Sequence, residues 1–216
     1  MELKRTVSKD LGGEIVYQDS DFAVFDDVTL PGRLAKIRAI IDPKFTATVT
    51  ALQPQLAAVG VPVYPHLALH RRRTKNPPPD TWVALSTSKR GYKMLPHFEF
   101  GLWDDQLYIW LVVLQEAQDR QTVIDRVSPQ TVAGLPANFE WADDHTDKTV
   151  HRPLTASGWD QLTAAQSQKH AEWLIGRTFD QGSAFFTGDA AAQLATIQTT
   201  IAALIPVYRE LIGGTA

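Results

Sequence analysis

From Leu34 to Leu56 the apolar side chains recur every three or four residues: Leu34, Ile37 and Ile41, then Phe45, Val49, Leu52 and Leu56. That spacing puts them on one helical face. It predicts a helix ending near Ile41 and a second that starts at Pro43, where a missing N–H is harmless, and stops at Gly60. Before Pro31-Gly32, residues 14–17 and 21–25 read as two short extended segments.

In the middle third the pattern turns to strands. Residues 61–69, 81–86, 96–102 and 107–114 are short, rich in β-branched and aromatic residues, and divided by Pro, Gly, Asn and Asp clusters. Their connections are too short for crossovers, so mainly antiparallel pairing is expected. Leu107, Ile109, Leu111 and Val113 alternate with Tyr108, Trp110, Val112 and Leu114, apolar on both faces, which marks a central, covered strand.

Further on, residues 116–127 read as a helix and Phe139-Glu-Trp141 as a brief strand. Ser157-Gly-Trp-Asp160 resembles a capping box opening a helix that ends near Gly176. Leu194, Ile197, Ile201, Leu204, Ile205, Tyr208 and Leu211 trace one face of a final helix up to Gly213-Gly214, with Pro206 a candidate kink. The fold class is α+β or α/β: residues 1–216 form a single compact domain, a mainly antiparallel central sheet packed by helices, with a long amphipathic C-terminal helix.

Composition keeps this picture and narrows the chemistry. The 216 residues are 44% hydrophobic and 21% charged, and the absence of cysteine excludes disulfides, thiolate zinc sites and cysteine nucleophiles. No apolar leader follows Met1, and residues 107–114 are far short of the ~20 needed to span a bilayer, so a soluble, cytoplasmic protein without a membrane partner is expected. Net charge is −3, but between His66 and Phe98 seven basic residues (Arg71, Arg72, Arg73, Lys75, Lys89, Arg90, Lys93) meet one acid, Asp80, a net +6 that leaves −9 for the rest.

That segment also holds three of the six histidines. On a strand Tyr64, His66, Ala68 and His70 share a face, and ~13 Å between residues four apart, at ~3.3 Å each, keeps His66 and His70 from sharing a metal. His97 and Glu99 share a face of a nearby strand, so an earlier histidine could face His97. The turn Lys89-Arg-Gly-Tyr-Lys93 carries Gly91, suited to positive φ or to close approach of a ligand. Its Arg90 and Lys93, with the arginine run Arg71–Arg73, form a cationic wall for phosphate or carboxylate, and Tyr92 or Trp82 offers a stacking surface.

Each of these residues has a plainer reading. Basic loop residues are usually solvated, Asn76-Pro-Pro-Pro-Asp80 makes a stiff turn, and Trp82 and Phe98 suit a core. The density of the group favours a binding site. The loop Asp143-Asp-His145-Thr-Asp147, with His151, offers metal-type ligands, but no second spaced group accompanies it. A solvated acidic loop is preferred, and no metal or other cofactor is expected. No phosphate-binding Gly-rich loop, dinucleotide fingerprint, His-Glu-x-x-His or nucleophile elbow is present.

The strings His70-Arg-Arg-Arg-Thr-Lys-Asn-Pro-Pro-Pro-Asp-Thr-Trp-Val-Ala84, Lys89-Arg-Gly-Tyr-Lys-Met-Leu-Pro-His-Phe98 and Gly101-Leu-Trp103 resemble the YktB-like family of uncharacterised bacterial proteins, a domain of unknown function. Asp21-Phe-Ala-Val-Phe25, Leu135-Pro-Ala-Asn-Phe139, Asp144-His-Thr146 and Ala171-Glu-Trp-Leu174 extend the likeness over nearly the whole chain. Leu69 and Arg71 depart from it, standing where a lysine and a small residue are expected. The resemblance implies a compact α/β domain and lends no activity.

Three functions remain open. The leading one is binding of an anionic, nucleotide-like small molecule by Arg72, Arg73, Asn76, Lys89, Arg90 and Lys93 with Trp82 or Tyr92. A metal-independent hydrolase or transferase would use His66, His70 or His97 as acid or base and Asp80 as orienter. RNA or single-stranded nucleic acid binding is the third, disfavoured by the overall acidity.

Overall fold

The computed structural model describes residues 16–58 and 60–214. Six strands form one sheet, β1 (Tyr64–Leu67), β2 (Asp80–Ser86), β3 (His97–Trp103), β4 (Gln106–Val113), β5 (Glu140–Ala142) and β6 (Trp173–Asp180), in the order β1-β2-β3-β4-β6-β5 with every neighbouring pair antiparallel. The expected antiparallel α+β architecture is thus the one observed. β4 lies inside the sheet and is buried along its whole length.

One sheet face packs on helices. Val83, Leu85, Phe98, Phe100, Leu102, Ile109, Leu111 and Ile175 join a core with Phe45, Val49 and Leu52 of α2 (Asp42–Ala58) and Ile197, Ile201, Leu204 and Tyr208 of α7 (Ala190–Leu211). By length and composition α7 could cross a membrane. Here its apolar stripe is spent on the sheet. It runs through Pro206 and closes at Gly213, whose φ of 77° suits a residue without Cβ.

Before α2 the chain runs through α1 (Leu30–Lys36) and a wider π-turn, Ile37–Ile41, without a break. Pro43 cannot donate to the carbonyl four residues back, and the Asp42 N–H reaches Ile37 instead. Three sequence expectations change. Residues 21–25 belong to a 3₁₀ stretch, Asp19–Asp26, because Asp21 caps its own turn by accepting the Gln18 N–H at 2.8 Å and pairs with Lys44 at 2.6 Å. Of the segment 14–17, residues 14 and 15 lie outside the described residues, and Val16 and Tyr17 join no strand.

The helix expected over 116–127 is confined to α3 (Arg120–Ile124), with α4 (Pro129–Ala133) following. The helix opening near Ser157 is capped by Thr155 and ends early, as α5 (Ala156–Ala165). The buried Gln166 amide donates to the carbonyls of Leu162 and Glu172, tying the helix end to the start of β6, which replaces the expected helical stretch up to Gly176. The short α6 (Ala184–Thr187) leads into α7.

The second sheet face is covered by loops. Strand alternation sends Asp80, Trp82, His97, Glu99, Trp103, Tyr108 and Trp110 to this side, where a smaller cluster of Trp103, Tyr108, Trp110, Val112 and Leu174 packs under Tyr92 and Val150.

Candidate anion-binding groove and the buried polar face

A groove of about 850 Å³ opens on the loop-covered side. One wall is the end of β1 and the turn after it. His70 adopts φ 49°, and the Arg73 N–H donates to its carbonyl at 3.0 Å, so the chain turns and presents Arg71, Arg72 and Arg73. The facing wall is the β2–β3 connection, held by serine hydroxyls: Ser86 Oγ donates to the Gly91 carbonyl at 3.2 Å, and the Arg90 N–H donates to Ser88 Oγ at 3.1 Å. Arg90, Tyr92, Lys93 and Met94 line this wall, and Trp82 completes the floor by donating its ring N–H to Tyr92 Oη at 3.1 Å.

Arg72, Arg73, Trp82, Arg90, Tyr92 and Lys93, named from the sequence, therefore line one groove, together with His66 and His70. Asn76 and Lys89 are not part of its lining, and Lys89 Nζ lies 5.1 Å from the Tyr64 ring centre. Gly91 does not take positive φ, and a side chain there would meet open space. Among the described residues no Asp or Glu lines the groove. Lys93 pairs with Glu116 at 3.4 Å, an exposed contact of little energetic weight.

The histidines are separated. His66 Nε2 meets the Ser88 carbonyl at 2.8 Å, and Tyr92 stands between His66 and His97, with ring centres at 5.7 and 4.9 Å. His70 sits edge-on to Trp82, and burial, reinforced by Arg73 and Arg38, pushes its pKa down to about 4, leaving a neutral imidazole. His97 is fully buried beneath the groove. Its Nδ1 meets the Leu95 carbonyl at 2.7 Å and its Nε2 meets Glu99 Oε1 at 3.1 Å, an acceptor oxygen on each side of the ring.

Asp80 and Glu99 lie on the same buried face. Burial first, and then the Glu99 charge, push the Asp80 carboxyl up to about 7. Tyr108 bends over β3 where Gly101 leaves room: a Cβ there would fall 2.3 Å from the phenol oxygen and 2.8 Å from the Thr81 carbonyl. Burial, with Asp80 and Glu99 nearby, drives the Tyr108 pKa far above the ordinary phenol value. Tyr92, desolvated and close to Glu99, is pushed up to about 12.

The acidic loop 143–150 covers the far half of this face. Lys148 ties it to Asp104 at 2.6 Å and Asp105 at 2.8 Å, and His151 stacks on Trp141 with ring centres 4.0 Å apart. Asp144, His145 and Glu172 place ligand-type atoms within 4.8 Å of one another. These atoms already engage protein partners: Glu172 Oε2 takes the His145 N–H and contacts its Nδ1, and Asp144 Oδ1 accepts from Thr146. Sequence reading missed Tyr108 and Glu172. The alternation of the central strand marks the face of Tyr108, whereas Glu172 fell in a segment read as helix.

Fold and site together define a small α+β protein whose antiparallel sheet carries a cationic groove, floored by aromatics, on its loop-covered face. The chain belongs to the family described as "Domain of unknown function (DUF1054)", whose model matches residues 17–208. It is 55% identical to a "UPF0637 protein" of Levilactobacillus brevis over 91% of this chain and 99% of the relative. It is 38% identical to one from Lacticaseibacillus casei, over 92% and 98%, and 37% identical to one from Shouchella clausii, over 89% and 93%. These relatives are themselves uncharacterised, and the likeness noted in the central motif is one of family.

Proposed function

We propose that the groove binds a small anionic molecule that carries a phosphate or carboxylate and a planar ring, of nucleotide-like size. The observation behind this reading is that Arg71, Arg72, Arg73, Arg90 and Lys93 line one groove with Trp82 and Tyr92, with no carboxylate in the lining. Guanidinium pairs bind phosphate in bidentate fashion, and ligand sites of 300–1,000 Å³ suit molecules of this size. Leu69 and Met94, exposed at the rim, add apolar surface for the ring.

Thermal unfolding with phosphate, AMP, a sugar phosphate and a short oligouridine tests the reading. A ligand at a hundredfold its dissociation constant stabilises the fold by ~2.7 kcal/mol. The expected result is a shift with a mononucleotide or sugar phosphate that disappears in Arg90→Ala. No shift with any of them, or a shift only with the oligonucleotide that collapses with salt, overturns it.

A further inference from the structure

The basic residues of the groove are anchored at two places rather than one. Thr81 and Ser86 stand near opposite ends of β2, ~17 Å apart at ~3.3 Å per residue. At the first end the Ala68 N–H donates to the Trp82 carbonyl at 2.9 Å, His70 Nε2 meets Thr81 Oγ1 at 3.2 Å, and the Arg73 N–H donates to the His70 carbonyl at 3.0 Å. Arg71, Arg72 and Arg73 are thus tied to the start of β2. At the other end Ser86 Oγ accepts the Ser88 N–H and donates to the Gly91 carbonyl, each at 3.2 Å, and Ser88 Oγ accepts the Arg90 N–H at 3.1 Å. Lys93 reaches Glu116, just past β4, whose Val112 pairs with His97 at this same end of the sheet. Arg90 and Lys93 therefore belong to the end of β2.

Between the two sets the floor is aromatic. Trp82 donates to Tyr92 Oη at 3.1 Å, and the Tyr92 ring centre lies 5.7 Å from that of His66, which stands opposite Ala84 in mid-strand. Arg71, Arg72, Arg73 and Arg90 are exposed, and among the described residues none of them forms an ion pair with a carboxylate. Neither set is neutralised from within. Charge is screened over ~8 Å at physiological salt, so a phosphate held at one end gains little from cations anchored at the other. The groove, at about 850 Å³, lies near the upper end of the ~300–1,000 Å³ typical of small-molecule sites and has room for a ligand that reaches both ends.

We propose that the ligand of this groove carries phosphate groups on both sides of its ribose, as a nucleoside 3′,5′-bisphosphate does. One phosphate is held by Arg90 and Lys93, the other by Arg71, Arg72 and Arg73, and the base lies between them on Trp82 and Tyr92. This rests on the anion-binding reading above and adds to it the place of a second charge.

Isothermal titration calorimetry of the whole protein with AMP, ADP and adenosine 3′,5′-bisphosphate tests this, because ADP has as many phosphate groups as the bisphosphate but carries both on one side of the ribose. The bisphosphate should bind about tenfold to hundredfold tighter than ADP, the gain from charge-assisted contacts at the second end. Replacing Arg72 and Arg73 together by Ala, at exposed positions where the melting temperature of the free protein should hold, should erase that advantage. Arg90→Ala should weaken all three nucleotides. Equal binding of ADP and the bisphosphate, or an advantage that survives in the Arg72→Ala, Arg73→Ala double variant, overturns the second anion position while the binding reading stands. If none of the three nucleotides binds, both fall together.

Discussion

Along β4, Leu107, Ile109, Leu111 and Val113 point to the helices, while Tyr108, Trp110 and Val112 point to the loops. The helix side is closed mainly by aliphatic and aromatic side chains, with no charged group among those in its core, so its burial is largely favourable. The loop side buries Asp80, His97, Glu99 and Glu172 among aromatic rings. Removing such groups from water costs several kcal/mol unless each finds a partner, and a raised Asp80 pKa is the signature of an incomplete exchange. One face therefore stabilises the fold, and the other holds charge and proton donors at a cost to stability, as functional sites do.

Substitutions can break or sharpen this contrast. The largest effect is expected on the helix side: Leu111→Ala, at a fully buried position, should cost about 3–5 kcal/mol in urea unfolding and leave anion binding in the surviving folded protein intact. Gly101→Ala on the loop side should cost roughly 1–3 kcal/mol, since its Cβ meets the Tyr108 phenol and the Thr81 carbonyl. It should also displace Tyr108, seen as a change in tyrosine near-UV circular dichroism. Arg90→Ala, at an exposed groove position, should change stability without ligand by less than about 0.5 kcal/mol while abolishing the mononucleotide-induced shift. An Arg90 variant that unfolds the protein would make the groove part of the fold's framework.

The same contrast explains what the sequence could disclose. The helix side was legible because Phe45, Val49, Leu52 and Leu56, and the stripe of α7, keep a single period set by one buried face. The basic groove was legible because its residues lie within two neighbouring connections, so local density stood in for geometry. The pairing of His145 with Glu172 was not, because 27 positions separate them and they meet only through the β5–β6 pairing and the loop above it. β6 itself escaped because residues 166–170 contain no Gly or Pro to break the helical pattern before Trp173. The tilt of Tyr108 over Gly101 follows from cross-strand register, which a single chain pattern does not fix.

Asp80→Asn tests most directly whether the loop-covered face carries charge at the expense of stability. The folded-state pKa, raised from 3.8 to about 7, lies above the unfolded value. Between those two values the folded chain keeps a proton that the unfolded chain gives up, so stability falls as pH rises through that window. At ~1.4 kcal/mol for each tenfold change in proton affinity, the cost above pH 7 is roughly 4 kcal/mol. Urea unfolding from pH 4 to pH 8 should therefore show Asp80→Asn more stable than wild type at pH 8 and flatter across the range; a variant less stable at pH 8, with an unchanged slope, would contradict the account.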